Sequence, residues 1–198
     1  PSPHAPLPHY TAPAPLKLHS GAPAAPRSIR FRSHQLLADC NQICDTMSIS
    51  DGDLNFGVIP ISHSYGFSNL LTPLIARGVA MVVSRDRTPR AVLTDLAGTG
   101  ATVFPGMPVF YQAFCEMNDV STLSKVRLPI SAGAPLSRSV AKKLFDKFQQ
   151  PIHSFYGASE RVAICCDSAE TAFEDWRVRP PRHGAESGFV APAATLWP

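Results

Sequence analysis

The chain has 198 residues, of which 44% are hydrophobic and 17% are charged, and its formal net charge is +3. This composition supplies enough apolar side chains for a packed core and excludes an intrinsically disordered chain. No run of Lys or Arg stands out, so the sequence does not indicate nucleic-acid binding. Neither a secretory leader nor an apolar span long enough to cross a membrane is found, so we expect a cytoplasmic protein without a membrane span.

Proline is concentrated towards both ends of the chain, which contains 20 prolines in all. Because proline lacks a backbone N–H and interrupts helices and sheets, we expect irregular segments at 1–26 and 177–198. The segment 27–176 is expected to form an α/β core. Within it, Cys40 and Cys44 lie four residues apart on one predicted helix face, which favours buried free thiols over a redox or metal site.

Helical and strand-like segments alternate along this core. Amphipathic periodicity and capping residues predict helices at Ser33–Met47 with Ser33 as N-cap, at Phe67–Arg77, from Thr88 to about Leu96, at Pro108–Met117, and from the Ser137 cap to about Phe148. Short apolar runs predict strands at Leu54–Ile59, Val79–Val83, Ala101–Phe104, Val126–Ser131 and from Ile152 to the start of the Tyr156 loop.

This alternation predicts the α/β class, with a mostly parallel sheet flanked by helices. Three of the strands run into loops that contain glycine, at Pro60–Gly66, Ser131–Ser137 and Tyr156–Glu160. Right-handed crossovers place the carboxyl ends of parallel strands at one edge of a sheet, where ligands bind. We therefore expect the three loops to lie together at that edge.

The last loop has the side chains that a nucleotide site needs. The ring of Tyr156 can stack on a base, and Gly157 lets the backbone approach a ligand closely. The Ser159 hydroxyl can bond a phosphate oxygen, and the Glu160 carboxylate can hold Mg²⁺. A Tyr-Gly turn followed by polar residues is also a common surface feature, so the loop by itself does not define a site.

Taken in order, the three loops resemble the motifs of the adenylate-forming superfamily of acyl-CoA synthetases, luciferases and peptide-synthetase adenylation domains. The resemblance runs from about Ser20 to about Glu174, and Tyr156–Glu160 is similar to the family's Tyr-Gly-x-Thr-Glu motif. It implies part of an adenylate-forming amino-terminal domain. It also implies that ATP and Mg²⁺ activate a carboxylic acid, fatty or otherwise, whose acyl group then passes to a thiol such as coenzyme A.

The resemblance assigns the nucleotide contacts to two of the loops. Gly133, Ala134 and Pro135 would line the adenine, with Tyr156 stacking beside it and Gly157 next to it in the motif. The alternative is that Gly133 and its neighbours simply form a turn before the helix that follows.

The resemblance also suggests two catalytic residues. His63 matches the family's motif beside the acyl pocket, where its side chain would shape entry of the carboxylate. Glu160 matches the glutamate that binds Mg²⁺, and Ser159 stands where the family usually has Thr. A hydrogen-bonded loop histidine without a catalytic role is the alternative for His63.

The segment that matches the family's phosphate-binding loop departs from it. Ser20 and Gly21 fit as phosphate contacts, and Arg27 replaces the usual Lys with another cation that binds phosphate. Ala22 and Pro23 replace a pair of hydroxyl residues, and Pro23 also removes a backbone donor. We therefore expect weakened contacts to the polyphosphate.

We find no counterpart of the family's ribose-binding aspartate, hinge or catalytic lysine after Glu174, so we expect the chain to be a truncated fragment. Two functions then remain open: an adenylate-forming ligase, or an inactive remnant with at most weak nucleotide binding. A dinucleotide-binding oxidoreductase is not favoured, because no Gly-x-Gly-x-x-Gly follows a predicted strand.

Overall fold

A computed structural model describes residues 16–19, 27–117, 123–156, 165–166 and 195–196, with backbone alone at 16–19, 27–28, 156, 165–166 and 195–196. The helices are α1 (Ser33–Thr46), α2 (Ser64–Gly66), α3 (Thr72–Arg77), α4 (Pro89–Thr99), α5 (Pro108–Glu116) and α6 (Arg138–Phe148), with a π-helix at Phe67–Leu71 between α2 and α3. The strands are β1 (Leu16–His19), β2 (Arg27–Arg30), β3 (Leu54–Gly57), β4 (Ala80–Val83), β5 (Val103–Gly106), β6 (Leu128–Ser131), β7 (His153–Tyr156), β8 (Cys165–Cys166) and β9 (Thr195–Leu196). Within the described parts of the chain, no helix is both long and apolar enough to cross a membrane.

The main sheet has six strands in the order β4-β3-β5-β6-β7-β8. Strands β4, β3, β5, β6 and β7 are parallel, and β8 pairs antiparallel with β7. The predicted class, a mostly parallel sheet flanked by helices, is therefore confirmed. A second, antiparallel sheet has the order β1-β2-β9. Its strands β1 and β9 lie inside the two end segments that we expected to be irregular.

Several helix ends follow from local sequence. The Ser137 hydroxyl accepts the Val140 N–H at the start of α6, as predicted for an N-cap. Gly78 and Gly100 end α3 and α4 in the left-handed conformation that favours glycine. The prediction for α1 was wrong by one residue: Arg32 is the N-cap, and its N–H donates to the Gln35 side chain at 2.8 Å.

The order of the strands creates a switch point between β3 and β5. The chain leaves β3 for β4 on one side, then returns past β3 to enter β5 and continues outward through β6 and β7. The connection from β3 to β4 runs across the sheet in one direction, and the connections from β4 to β5, β6 and β7 run in the other. Because right-handed connections that run in opposite directions lie on opposite faces of the sheet, α2 and α3 cover one face and α4, α5 and α6 cover the other. In open α/β sheets, the crevice at the carboxyl side of such a switch point is where ligands bind.

A proline keeps this crevice free of ladder hydrogen bonds. Ala132 N donates to Gly106 O, so the even-numbered residues of β5, Phe104 and Gly106, direct their backbone carbonyls towards β6. The odd-numbered residues therefore face β3, and Pro105 has no N–H to offer there. Accordingly, Asn55 with Val103 is the one register pair between β3 and β5. Strand β5 also runs two residues beyond its predicted end, because Pro105 lies where no ladder bond to β3 forms.

An aromatic cluster packs α5 against the sheet. The Phe104 ring of β5 lies 5.5 Å from Tyr111, 6.0 Å from Phe114 and 6.3 Å from Phe110, measured between ring centroids. Such edge-to-face and offset pairs add to the hydrophobic gain of burial. On the other side of the molecule, Cys40 and Cys44 of α1 are buried free thiols, as predicted.

Candidate active site

The described candidate residues of the three loops lie at one edge of the main sheet. His63 follows β3 and Gly133 follows β6, and both strands run parallel with β5 between them. Both loops are therefore at the carboxyl edge, on the two sides of the β5 end. The nucleotide motif begins at Tyr156, the last residue of β7, so its backbone reaches the same edge.

Other predicted site residues lie outside the described residues. Ser20 and Gly21 of the phosphate-binding segment do so, as do Gly157, Ser159 and Glu160 of the nucleotide motif. Arg27, of which the structure describes the backbone alone, is the first residue of β2 in the second sheet. The assignments of phosphate and Mg²⁺ contacts therefore stay predictions.

His63 acts as the N-cap of α2. Its ring Nδ1 accepts the Tyr65 N–H at 3.2 Å, and its backbone N–H donates to Pro60 O at 3.0 Å. A neutral imidazole whose Nδ1 is an acceptor carries its proton on Nε2. The His63 side chain is exposed, so the turn presents an N–H donor at the mouth of the site.

Gly66 is required by the close approach of two backbone segments. A Cβ at this position would lie 2.2 Å from Pro60 O and 2.8 Å from Pro60 C. No side-chain rearrangement relieves a contact with backbone atoms. The start of α2 is thereby packed directly onto the loop that follows β3, and this packing holds His63 in place.

Tyr65 was part of the quoted motif, but sequence reasoning gave it no role. Its hydroxyl lies 3.3 Å from both Gly106 O and Ile130 O, the carbonyls at the ends of β5 and β6. Its ring stacks on Phe155 of β7 with centroids 6.0 Å apart and planes 17° apart. One buried side chain thus links the loop after β3 to three other strands of the site edge. An aromatic residue between the histidine and glycine of the motif was the only signal in the sequence.

Tyr111 supports the same carbonyl from α5. Its hydroxyl lies 2.9 Å from Ile130 O, to which it donates, and 3.1 Å from Phe104 O. Burial, with the nearby Tyr65 adding to it, raises the pKa of the Tyr111 phenol well above 10. The hydroxyl therefore stays protonated, and two tyrosines converge on the end of β6 just before the Gly133 loop.

The Gly133 loop has the open backbone that a flat ligand needs. Gly133 has φ +86, which favours glycine, and the nearest atom to a Cβ placed there is Met107 Cγ at 3.9 Å. Beside it, the buried Ser131 hydroxyl has no hydrogen-bond partner in the described part of the chain. The residues present are compatible with an aromatic base lying against the backbone of Gly133–Pro135.

A separate cleft lies at the edge of the sheet. It has a volume of about 400 Å³ and is lined by Phe56, Val82, Val83, Ser84, Arg85, Asp86, Ala91, Asp95 and Thr99. Its lining includes neither His63 nor Gly133. We therefore base the site on the crevice between β3 and β5 and not on this cleft.

Solved structures of coenzyme A ligases share this fold. The chain superposes on the O-succinylbenzoate coenzyme A synthetase of Bacillus subtilis in complex with AMP with a TM-score of 0.71, covering 81% of this chain and 33% of that one at 18% identity. It superposes on an anthranilate CoA ligase in complex with anthranoyl-AMP with a TM-score of 0.68, covering 78% and 31% at 20% identity. These likenesses show that this chain has the fold of about a third of each solved chain.

The family follows from sequence. The family model for AMP-binding enzymes matches residues 20–193, and the chain belongs to this family. It is 27% identical over 154 residues to the acyl-CoA ligase SID4 of Ajellomyces capsulatus, covering 76% of this chain and 26% of that protein. It is 32% identical over 139 residues to the 4-coumarate–CoA ligase-like protein 2 of Arabidopsis thaliana, covering 68% and 23%. The chain thus spans about a quarter of the length of these curated relatives.

Proposed function

We propose that this chain is the nucleotide- and acyl-binding core of an ATP-dependent ligase that joins a carboxylic acid to a thiol such as coenzyme A. The observation that carries the proposal is the convergence of the His63 and Gly133 loops on one switch-point crevice, in a chain of the AMP-binding family. Relatives of the chain include an acyl-CoA ligase and an anthranilate–CoA ligase. Their names support the reaction type and leave the acid open.

The reaction has two balanced steps. A carboxylate oxygen of the acid attacks the α-phosphorus of ATP, the bond to the β-phosphate oxygen breaks, and acyl adenylate and pyrophosphate form. The thiolate then attacks the acyl carbonyl carbon, the bond to the adenylate oxygen breaks, and AMP leaves. Both steps depend chiefly on positioning of the two reactants and on stabilisation of developing negative charge.

In this proposal, the described residues bind and orient the reactants. The Nε2–H of His63 donates to the incoming carboxylate, because Nδ1 is occupied by the Tyr65 N–H. The Gly133–Pro135 backbone receives the adenine, where a side chain at position 133 would be strained. Bound at Glu160, Mg²⁺ would neutralise charge on the phosphates.

Calorimetric titration of the chain with AMP and ATP, each with Mg²⁺, tests the nucleotide site. We expect both to bind, and we expect Gly133→Val to abolish binding because a β-branched residue does not tolerate φ +86. Lys142→Ala, on the exposed face of α6, is the matched control and should bind normally. Absence of binding by the folded wild-type chain would refute the nucleotide site.

Carboxylate-dependent exchange of pyrophosphate into ATP tests the chemistry, with a panel of aliphatic and aromatic acids. Exchange that is lost in Glu160→Gln supports the ligase. The second candidate, an inactive remnant, is favoured by Ala22 and Pro23 in the phosphate-binding segment. It predicts that AMP binds about as tightly as ATP and that no acid supports exchange.

A further inference from the structure

A π-helix connects the candidate site to the body of the protein. It spans Phe67–Leu71, directly after the turn that holds His63 and Tyr65, and Thr72 N donates to Phe67 O across five residues. Isolated π turns are rare in proteins and occur often at functional sites. The sequence predicts a helix from Phe67 to Arg77 despite Pro73, so the π turn is a departure that needs a cause.

Pro73 supplies that cause. In an α-helix the carbonyl of Asn69 accepts the N–H of residue 73, and in a π turn the carbonyl of Ser68 does so. Proline offers no N–H in either case, and its ring clashes with the carbonyl four residues earlier. The wider π turn relieves the clash, but Pro73 still offers no N–H to the Ser68 or the Asn69 carbonyl.

Buried side chains replace the missing donor. Thr72 Oγ1 donates to Ser68 O at 2.9 Å, and Asn55 Nδ2 donates to Asn69 O at 3.4 Å. Asn55 lies on β3, so this second bond ties the π turn to the centre of the sheet. The Asn69 side chain in turn donates to Tyr65 O at 3.3 Å. These hydrogen bonds connect the sheet to the π turn, and the π turn to Tyr65, whose N–H donates to the His63 ring.

This arrangement is costly in stability. Asn55 is 0% exposed and Asn69 is 2% exposed. The Oδ1 atom of each amide has no hydrogen-bond partner within the residues that the structure describes. Burying an amide oxygen without a partner is unfavourable, and an apolar residue at 55 with alanine at 73 would avoid the cost. A locally unfavourable device of this kind is typical of positions that serve a site.

We propose that Asn55, Asn69 and Pro73 are positioning residues that hold the π turn and thereby set His63 and Tyr65 over the crevice. Asn69 fixes the carbonyl of Tyr65, whose N–H donates to His63 Nδ1 and whose hydroxyl reaches the β5 and β6 carbonyls. The turn therefore determines both the tautomer of His63 and the place of its ring. The role of the oriented His63 ring in carboxylate binding rests on the proposed function, whereas the positioning of the ring by the π turn does not.

A double-mutant cycle in urea unfolding tests the link between Asn55 and Pro73. Asn55→Ala should lower the ratio of folded to unfolded protein about tenfold or more, because the buried Asn69 carbonyl loses its side-chain donor. In a Pro73→Ala background the restored N–H can bond that carbonyl, so the same change should cost less than about threefold. Equal losses in the two backgrounds would overturn the proposal. The Pro73→Ala background also gives a folded chain if Asn55→Ala alone does not fold.

Nitrogen-15 NMR of the histidine rings tests the positioning. Wild-type His63 should show an unprotonated Nδ1 and a protonated Nε2, with the Tyr65 amide proton shifted downfield. We expect Pro73→Ala to keep or raise stability yet to lose both signatures, since an α turn moves Tyr65. Thr102→Val, which removes a hydroxyl at the opposite edge of the sheet, should lower stability and keep both signatures.

Unchanged His63 and Tyr65 signals in Pro73→Ala would show that the π turn is structural only and would overturn the proposal. The measurement uses neither nucleotide nor acid. Its outcome is therefore separate from that of the binding and exchange experiments, and failure of the one does not imply failure of the other.

Discussion

The amino edge of the sheet, opposite the candidate site, is locked by one carboxylate. Asp53 Oδ1 accepts from Arg127 Nε and Thr102 Oγ1, both at 2.8 Å. Its Oδ2 accepts from Arg127 Nη2 at 2.6 Å and from Ser50 N at 3.0 Å. These bonds join the start of β3 to the starts of β5 and β6. We predict that Asp53→Asn destabilises the chain by weakening this junction.

The magnitude follows from the pKa of the carboxyl. Burial by itself would raise the pKa of Asp53, but hydrogen bonds from Arg127, Ser50 and Thr102 and the charge of Arg127 together lower it from 3.8 to about 2. That difference corresponds to about 2 kcal/mol in favour of the folded chain. Because the folded pKa is the lower one, this contribution is fully present above about pH 4 and is lost as the pH falls towards 2.

Urea unfolding of wild type and Asp53→Asn between pH 7 and pH 2.5 measures the effect. The variant should be about 2 kcal/mol less stable at pH 7, and the two curves should approach each other below pH 4. Asp146→Asn is the control, since Asp146 pairs with Lys142 on an exposed helix face and should cost less than about 0.5 kcal/mol. A loss in Asp53→Asn no larger than in the control, or a gap that does not narrow in acid, would refute the reasoning.

Two further substitutions check local parts of the structure. Gly66→Ala should destabilise the chain by about 1–3 kcal/mol, because the new methyl meets the Pro60 backbone. Gly98→Ala in α4, where no atom lies within 4 Å of the new methyl, should instead stabilise the chain by about 0.5–1 kcal/mol. If urea unfolding gave the two substitutions the same sign, the close contact between Gly66 and the Pro60 backbone would be contradicted. Ser137→Ala should cost about 1 kcal/mol by thermal or urea unfolding, whereas Ser137→Asp keeps the capping acceptor and should cost much less; equal losses would exclude the cap.

Local sequence determined much of the fold. Apolar runs alternating with amphipathic segments require strands and helices in turn, and this alternation favours a parallel sheet. The end of α3 at Gly78 and the cap of α6 at Ser137 were likewise readable, since each depends on a residue and its immediate neighbours. The placement of His63 and Gly133 at one edge also follows from the parallel order, because both come after strands.

Other features were decided by contacts between segments far apart in the chain. Periodicity does not say which strands pair, so the switch point between β3 and β5 could not be predicted. Pro105 in β5 shapes the crevice only because its missing N–H faces β3. In the same way, the local sequence predicts a helix at Phe67–Arg77 despite Pro73, but in the fold a buried amide on β3, Asn55, donates to the carbonyl of Asn69, to which the proline offers no N–H. A backbone group without its local partner must find a distant one, and only the tertiary structure shows which residue provides it.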